Sequence, residues 1–316
     1  MRQRLCMLVL LAAILPQVAA AGWREPREAL DQRHGVGMFR IHYTASGPDA
    51  FVGAAAGAEG AAGLALRLGE QLERGHRFYA EVLGLTPPAA NPRYRGLLAV
   101  DVHVLAMEGK KGSTGDEPIV YRYRHFPDRG PAITISISSR WAPGNLTPEH
   151  EVFHAYQYGY TFFKNPWFLE GMANALEASF RPRRGGEEPL PQDGPTLQRL
   201  LGRSYGAGAF WQRLMGLCDP GCAWSAAEGV SPGRRQCGVR FVKPFLEALQ
   251  AADRAAAAAR GIDPADWPEA EQRSERNNPW LLDGLATTLA RHCAVEAGGE
   301  LAGFLGTLKA MRQSLP

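Results

Sequence analysis

Residues 150–177 constrain this chain more than any other stretch. The segment opens His150-Glu151-x-x-His154 and continues into Trp167-x-x-Glu170-Gly171-x-Ala173. On a helix, His150 and His154 stand one turn apart and point the same way. Two imidazoles at that spacing can bind one tetrahedral Zn2+. Glu151 then lies beside them, placed to take a proton from a metal-bound water. Chance alone puts such a five-residue pattern in roughly one chain in a hundred of this length, so its surroundings have to decide.

Those surroundings read as two helices. Thr147 can cap the first, Pro148 suits its first position, and Gly159 is a natural stop. Asn165 is a candidate cap for the second, with Pro166 next. Glu170 falls near its first turn, and Asn174 and Glu177 follow at i+4 and i+7 on the same face. Two histidines and a carboxylate, with a fourth position left for water, suit a catalytic zinc site rather than a closed structural one. Gly171 lacks a side chain beside Glu170, which lets the helices approach closely. The competing reading is a partly buried polar helix face with no metal.

The pattern resembles the gluzincin metallopeptidases, the thermolysin-like group, and is most similar to bacterial peptidase MA-like members with a Trp-x-x-Glu-Gly-x-Ala helix. The resemblance covers residues 147–180. It implies His150, His154 and Glu170 as zinc ligands and Glu151 as general base. In thermolysin-like enzymes an acidic residue one turn after the third ligand orients a ligating histidine. That position is Asn174 here, with Glu177 as the alternative. Fifteen residues separate His154 from Glu170, fewer than in thermolysin, which implies a shorter connection between the helices.

The N-terminus reads as a signal peptide over residues 1–21. Arg2 and Arg4 precede an apolar run from Leu5 to Leu15, and Ala19-Ala20-Ala21 forms a cleavage site. The run is short for a bilayer span, and Cys6 lies too early for a lipoprotein anchor. The expected location is secreted or periplasmic, with no membrane anchor after cleavage. Removing two arginines leaves a formal charge of about +1 with no basic stripe, which argues against nucleic acid as a partner. Four cysteines remain: Cys218, Cys222, Cys237 and Cys293. An even number in an exported chain predicts two disulfides, with three connectivities open.

Residues 22–35 read as an arm and Phe39, Ile41 and Tyr43 as a first strand. Leu64, Leu68, Leu72, Tyr79 and Leu83 place a long amphipathic helix over 61–83, ended by Gly84. Leu98 to Val104 forms a strand, Gly109 to Gly115 a loop without phosphate-loop order, and Ile119 to Arg124 another strand. Ile133, Ile135 and Ile137 alternate with Thr134, Ser136 and Ser138 in a half-buried edge strand. In gluzincin-like folds the equivalent strand borders the cleft and pairs with extended substrates. Arg181 to Asp193 reads as an exposed linker. Residues 195–217, 240–260 and 279–312 are helical. Asn145-Leu146-Thr147 is a formal glycosylation sequon that overlaps the helix cap.

The expected fold is therefore α+β, in two parts. An N-terminal α/β subdomain over 22–145 carries a mixed sheet and a long helix. Residues 146–316 carry the His-Glu-x-x-His helix, the Glu170 helix and a mostly helical lobe, a zincin-like plan. The expected activity is hydrolysis of peptide or protein substrates by a zinc-activated water. The candidates for a transition-state donor are Tyr205, Tyr156 and Tyr158. A non-catalytic binding protein on the same scaffold, or a zinc hydrolase acting on a non-protein amide such as a cell-wall cross-link, stays open.

Overall fold

Strictly alternating residues build a mixed sheet, and the computed structural model describes it within residues 22–55, 60–127, 129–180, 188–220 and 238–314. The strands are β1 (Gln32–Val36), β2 (Phe39–Tyr43), β3 (Ala99–Leu105), β4 (Gly112–Thr114), β5 (Ile119–Val120) and β6 (Pro131–Ser138). Their order is β1-β2-β3-β6-β4, and β5 also pairs with β6. Strands β2, β3 and β6 are parallel, while β1, β4 and β5 run antiparallel to their neighbours. The helices are α1 (Glu25–Glu28), α2 (Gly60–Arg77), α3 (Thr147–Tyr160), α4 (Pro166–Glu177), α5 (Gly194–Leu201), α6 (Gly208–Cys218), α7 (Val242–Arg260), α8 (Glu269–Gln272), α9 (Asn278–His292) and α10 (Glu300–Ser314). The chain is thus α+β with a mixed sheet and a helical second half. No helix among the described residues is long and apolar enough to cross a membrane.

One face of the sheet is apolar. Phe39, Ile41, Val100, Val102, Val104, Ile133, Ile135 and Ile137 are buried there with α2 and α3 in one cluster. Helix α2 gains a final wider turn, Phe78–Val82, and ends before Gly84, whose φ of 65° suits a residue without a side chain. Helix α3 is locked to α2 at its start. Glu149 is fully buried and accepts from Gln71 and Arg74, while Tyr79 Oη donates to its backbone oxygen at 2.9 Å. Helix α4 packs on α6 through Trp167 and Trp211, stacked 5.5 Å apart, with the Trp211 indole donating to the Trp167 carbonyl at 2.8 Å.

The other face is polar and yet covered. Arg27 of α1 donates to Ser136, and the 121–126 segment lays Tyr121 on Thr134 and Tyr123 on Asp101 and His103. Alternation therefore misleads here: Thr134, Ser136 and Ser138 look solvent-facing in sequence and are buried. Burial pushes the Asp101 carboxyl up. His42 at 3.5 Å and the bidentate Arg40 at 2.6 and 3.0 Å outweigh that and hold it at about 2.

Several expectations need correction. The 22–35 arm contains α1 and β1. The Gly109 to Gly115 loop contains β4, because three residues suffice to pair with β6. The 119–124 strand stops at Val120, after which Tyr121 to Arg124 cross over the polar face. Strand β6 is not an edge. Residues Thr134 to Ser138 pair with β3, and β4 and its flanks take the opposite side, so substrate pairing with this strand is excluded. Gly159 does not stop α3. Its bare Cα admits Asn91, whose Nδ2 lies 2.7 Å from where a Cβ would sit. Thr147 is not the cap either: Asn145 Oδ1 accepts from Thr147 N at 2.9 Å. Asn165 holds the cap position of α4, but its side chain donates to Ser274 and Asn278 instead. In the 181–193 stretch, residues 181–187 lie outside the described residues, and Leu190 is buried with its N–H on Glu300.

Cys218 at the end of α6 is bonded to Cys293 just after α9. Cys222 and Cys237 lie outside the described residues, as do residues 1–21. The bond closes a loop of 75 residues' separation. Replacing both cysteines with alanine should lower stability by about 2–4 kcal/mol in denaturant unfolding under oxidising conditions.

The depressed Asp101 pKa adds stability that is complete above about pH 4 and is lost as the pH falls towards 2. Asp101→Asn should cost about 2 kcal/mol at neutral pH in urea unfolding, with the difference from the parent shrinking as the acid limb is reached. A difference independent of pH would show that the carboxylate charge is not what matters.

Candidate metal centre

The ligand set is assembled by two consecutive helices. His150 and His154 sit one turn apart in α3, and Glu170 sits in α4. His150 Nε2 lies 3.0 Å from His154 Nε2 and 3.3 Å from Glu170 Oε2, and His154 Nε2 lies 3.5 Å from the same oxygen. A tetrahedral ion with bonds of ~2.0–2.1 Å separates its ligands by roughly 3.3 Å, so the three distances fit one metal. Together these residues could hold a metal ion; among the described residues they form the one such group.

Tautomers make the same point. His150 Nδ1 faces Glu177 Oε2 at 3.0 Å, and His154 Nδ1 faces Gln157 Oε1 at 2.8 Å. Gln157 is oriented in turn by donating to the Leu169 carbonyl at 3.3 Å. Both Nδ1 atoms therefore carry the proton, and both Nε2 lone pairs turn inward towards each other and a carboxylate. That convergence of electron pairs calls for a positive charge at its centre. When a proton supplies it, burial works to lower the His150 pKa, but the Glu170 and Glu177 carboxylates outweigh it and lift it to about 9.

The orienting role falls to Glu177, two turns after Glu170. Asn174 instead closes against Gly208, with Oδ1 2.6 Å from where a Cβ would be. Gly171 does not serve the expected approach of α3 and α4; it faces the opposite neighbour, where a Cβ would meet Ala207 at 2.7 Å and Trp211 at 3.1 Å. Gln157 was not singled out by sequence reasoning. The available signal was its place three residues after His154, on the same helix face.

Glu151 lies under β4. Thr114 Oγ1 donates to Glu151 Oε2 at 2.7 Å and to its backbone oxygen at 2.9 Å. Gly112 leaves the room: a Cβ there would sit 2.6 Å from Glu151 Oε1. Burial pushes the Glu151 carboxyl up, and the two imidazoles only partly offset it. Neither Gly112 nor Thr114 stood out in sequence, because a three-residue strand leaves no periodic signal.

Among the described residues, strand β4 also carries the free backbone edge of this part of the sheet. Ser138 N donates to Lys111 O at 2.9 Å and Gly115 N to Thr134 O at 2.8 Å. Alternation then turns the N–H and C=O of Gly112 and Thr114 outward.

The tyrosines divide. Tyr156 is buried and bonded to His76 at 2.7 Å, turned away from the ligands. Tyr158 is buried and stacks on His154 at 5.8 Å. Tyr205 is 57% exposed and lies over His150 at 5.7 Å, facing Glu170. Partial burial, then the Glu170 charge, pushes the Tyr205 phenol well above its ordinary value, so it stays a donor. Comparisons of the chain with protein-family models, curated proteins and solved structures give no match.

Glu177→Ala and Gln157→Leu should each weaken divalent-metal binding by about 10–100-fold in chelator competition, with the fold retained. Asn174→Ala should stay within about twofold of the parent, since Asn174 touches neither histidine. A reversed order would return the orienting role to Asn174.

Proposed function

We propose that the chain is an exported zinc-dependent peptidase of the gluzincin type. The observation that carries the reading is the convergence of His150, His154 and Glu170 on one point, with Glu151 alongside under a free strand edge. A His, His, Glu set leaves a coordination position for water, as catalytic zinc sites do. The zincin-like plan is supported by a mixed sheet with β4 at one edge, followed in the chain by the ligand helix, the carboxylate helix and a helical lobe. Export is supported by the Cys218–Cys293 bond and by the signal-like pattern at the N-terminus.

When bound, zinc supplies Lewis acidity to a water molecule and to the scissile carbonyl. The protein's own groups do the rest. An extended peptide pairs with the outward N–H and C=O groups of Gly112 and Thr114, which holds it across the centre. Thr114 fixes Glu151 Oε2, leaving Oε1 to accept the proton of the attacking water. Burial keeps that carboxyl a stronger base than a solvated glutamate, closer to what neutral conditions require. Glu151 then passes the proton to the departing amine nitrogen. Tyr205, protonated and exposed at the ligands, is the donor candidate for the developing oxyanion. Glu177 and Gln157 hold the imidazole rings by Nδ1, an orientation in which both Nε2 atoms would be presented to a bound metal.

The test is bound metal per chain together with hydrolysis of unstructured peptides. The purified protein should carry one zinc, and His154→Ala should lose it. Glu151→Gln should keep the zinc and lose at least ~100-fold in rate. Zinc binding without any hydrolysis dependent on Glu151 would favour a binding protein or a non-peptide amide. Failure to bind zinc after reconstitution would sink the metal reading altogether.

A further inference from the structure

Just past the C-terminal end of β4, the chain reaches Asp116, and ion pairs tie that residue across to the second half of the molecule. Asp116 Oδ2 lies 3.0 Å from Lys164 Nζ and 3.2 Å from Arg93 Nη2. Lys164 Nζ also bonds Glu269 Oε2 of α8 at 2.7 Å, and Lys164 N donates to the Gln272 carbonyl at 2.8 Å. The Lys164 side chain is only 5% exposed. An ammonium that deeply placed needs paired carboxylates around it, and Asp116 and Glu269 provide them. Arg93 reinforces the same end: it stacks 3.7 Å from the Phe162 ring centre and donates to the carbonyls of Tyr158 and Thr161, where α3 finishes.

Asp116 follows the strand that rims the centre. Lys164 sits in the connection leaving α3, the floor. Glu269 belongs to α8, in the helical second half. The three side chains therefore form one continuous bar that joins the segment after β4, the α3–α4 connection and α8. It stands close to the metal ligands. Tyr158 lies between them, its ring 5.8 Å from that of His154 and 5.3 Å from Lys164 Nζ.

A strand added antiparallel to the free edge of β4 has its N-terminal end at Asp116. We propose that the Asp116–Lys164–Glu269 bar closes the substrate groove at that end. The centre then takes peptides with a short N-terminal overhang, about one to three residues before the scissile bond at ~3.3 Å each, and excludes longer ones. This inference rests on the peptidase reading given above and narrows its substrate class to peptides cleaved near a free N-terminus.

The experiment uses the zinc-loaded full chain and two peptide series sharing one core sequence. One series is lengthened stepwise on the N-terminal side and the other on the C-terminal side. Cleavage sites are read by mass spectrometry and kcat/KM is measured for each length. N-terminal lengthening beyond about three residues should lower kcat/KM by at least ~10-fold, and C-terminal lengthening should not. Glu269→Ala removes the more exposed leg of the bar, and Lys164→Met removes its centre without leaving a cavity. Either variant that folds should restore cleavage of the long N-terminal peptides towards the rate of the short ones. Equal rates for all lengths, with Glu151→Gln still abolishing hydrolysis, overturn the closed groove and leave the peptidase reading standing. Discrimination that neither variant relieves overturns the role of the bar. Absence of any hydrolysis dependent on Glu151 overturns both readings.

Discussion

Helix α3 is buried on every side and nevertheless carries Glu149, His150, Glu151, His154 and Gln157. A buried polar group without a partner costs about 1–3 kcal/mol, and a charged one more, so each of these side chains dictates what packs beside it. Glu149 draws in Gln71 and Arg74 of α2, which fixes how the helix sits on the rest of the core. Glu151 draws in Thr114 and so sets the position of β4. His150 and His154 take Glu177 and Gln157 on their outer nitrogens. The two inner nitrogens and Glu170 are left pointing at one another, a set that could hold a cation. The candidate metal centre is where α3 leaves polar groups facing one another once Glu149 and the outer imidazole nitrogens have their partners.

A second buried polar layer lies on the far face of the sheet and is closed differently. Asp101 is met by Arg40 and Tyr123, His103 by Tyr123, and Thr134 by Tyr121. Tyr123 is shared between Asp101 and His103, while both His42 ring nitrogens lack a hydrogen-bond partner among the described residues and the ring stacks 4.0 Å from Tyr123. No common focus results. The two layers show how similar residue types give structure in one place and a ligand set in another, according to whether their free valences diverge or converge.

The ligand set was legible in sequence because helical spacing is a strong geometric rule. His150, His154 and Glu170 are brought together as that rule predicts, and the long helix and the β3 and β6 strands fall where periodicity puts them. What escaped is short or tertiary in origin. Strand β4 is three residues long and cannot show alternation. Strand β6 alternates as a half-buried edge would, yet its polar side is covered by residues 121–126, whose approach no local pattern encodes. Gly159 carries the signature of a helix stop but answers to Asn91, a contact 68 positions away in the chain. Glu177 rather than Asn174 meets His150, while Asn174 closes against Gly208, and neither contact is visible in α4 alone.

Gly112 makes the strand edge and the carboxylate of Glu151 share a single van der Waals surface, with Thr114 bonded across it. The ledge on which a peptide would rest and the group that would deprotonate water therefore behave as one mechanical unit. A chain that settles badly on the ledge tilts β4, and the tilt passes directly to the base, with no soft side chain between to absorb it. On the proposed peptidase reading, discrimination between good and poor sequences would be expressed in turnover more than in affinity, because a misfit guest would spoil the alignment of the host's own proton acceptor.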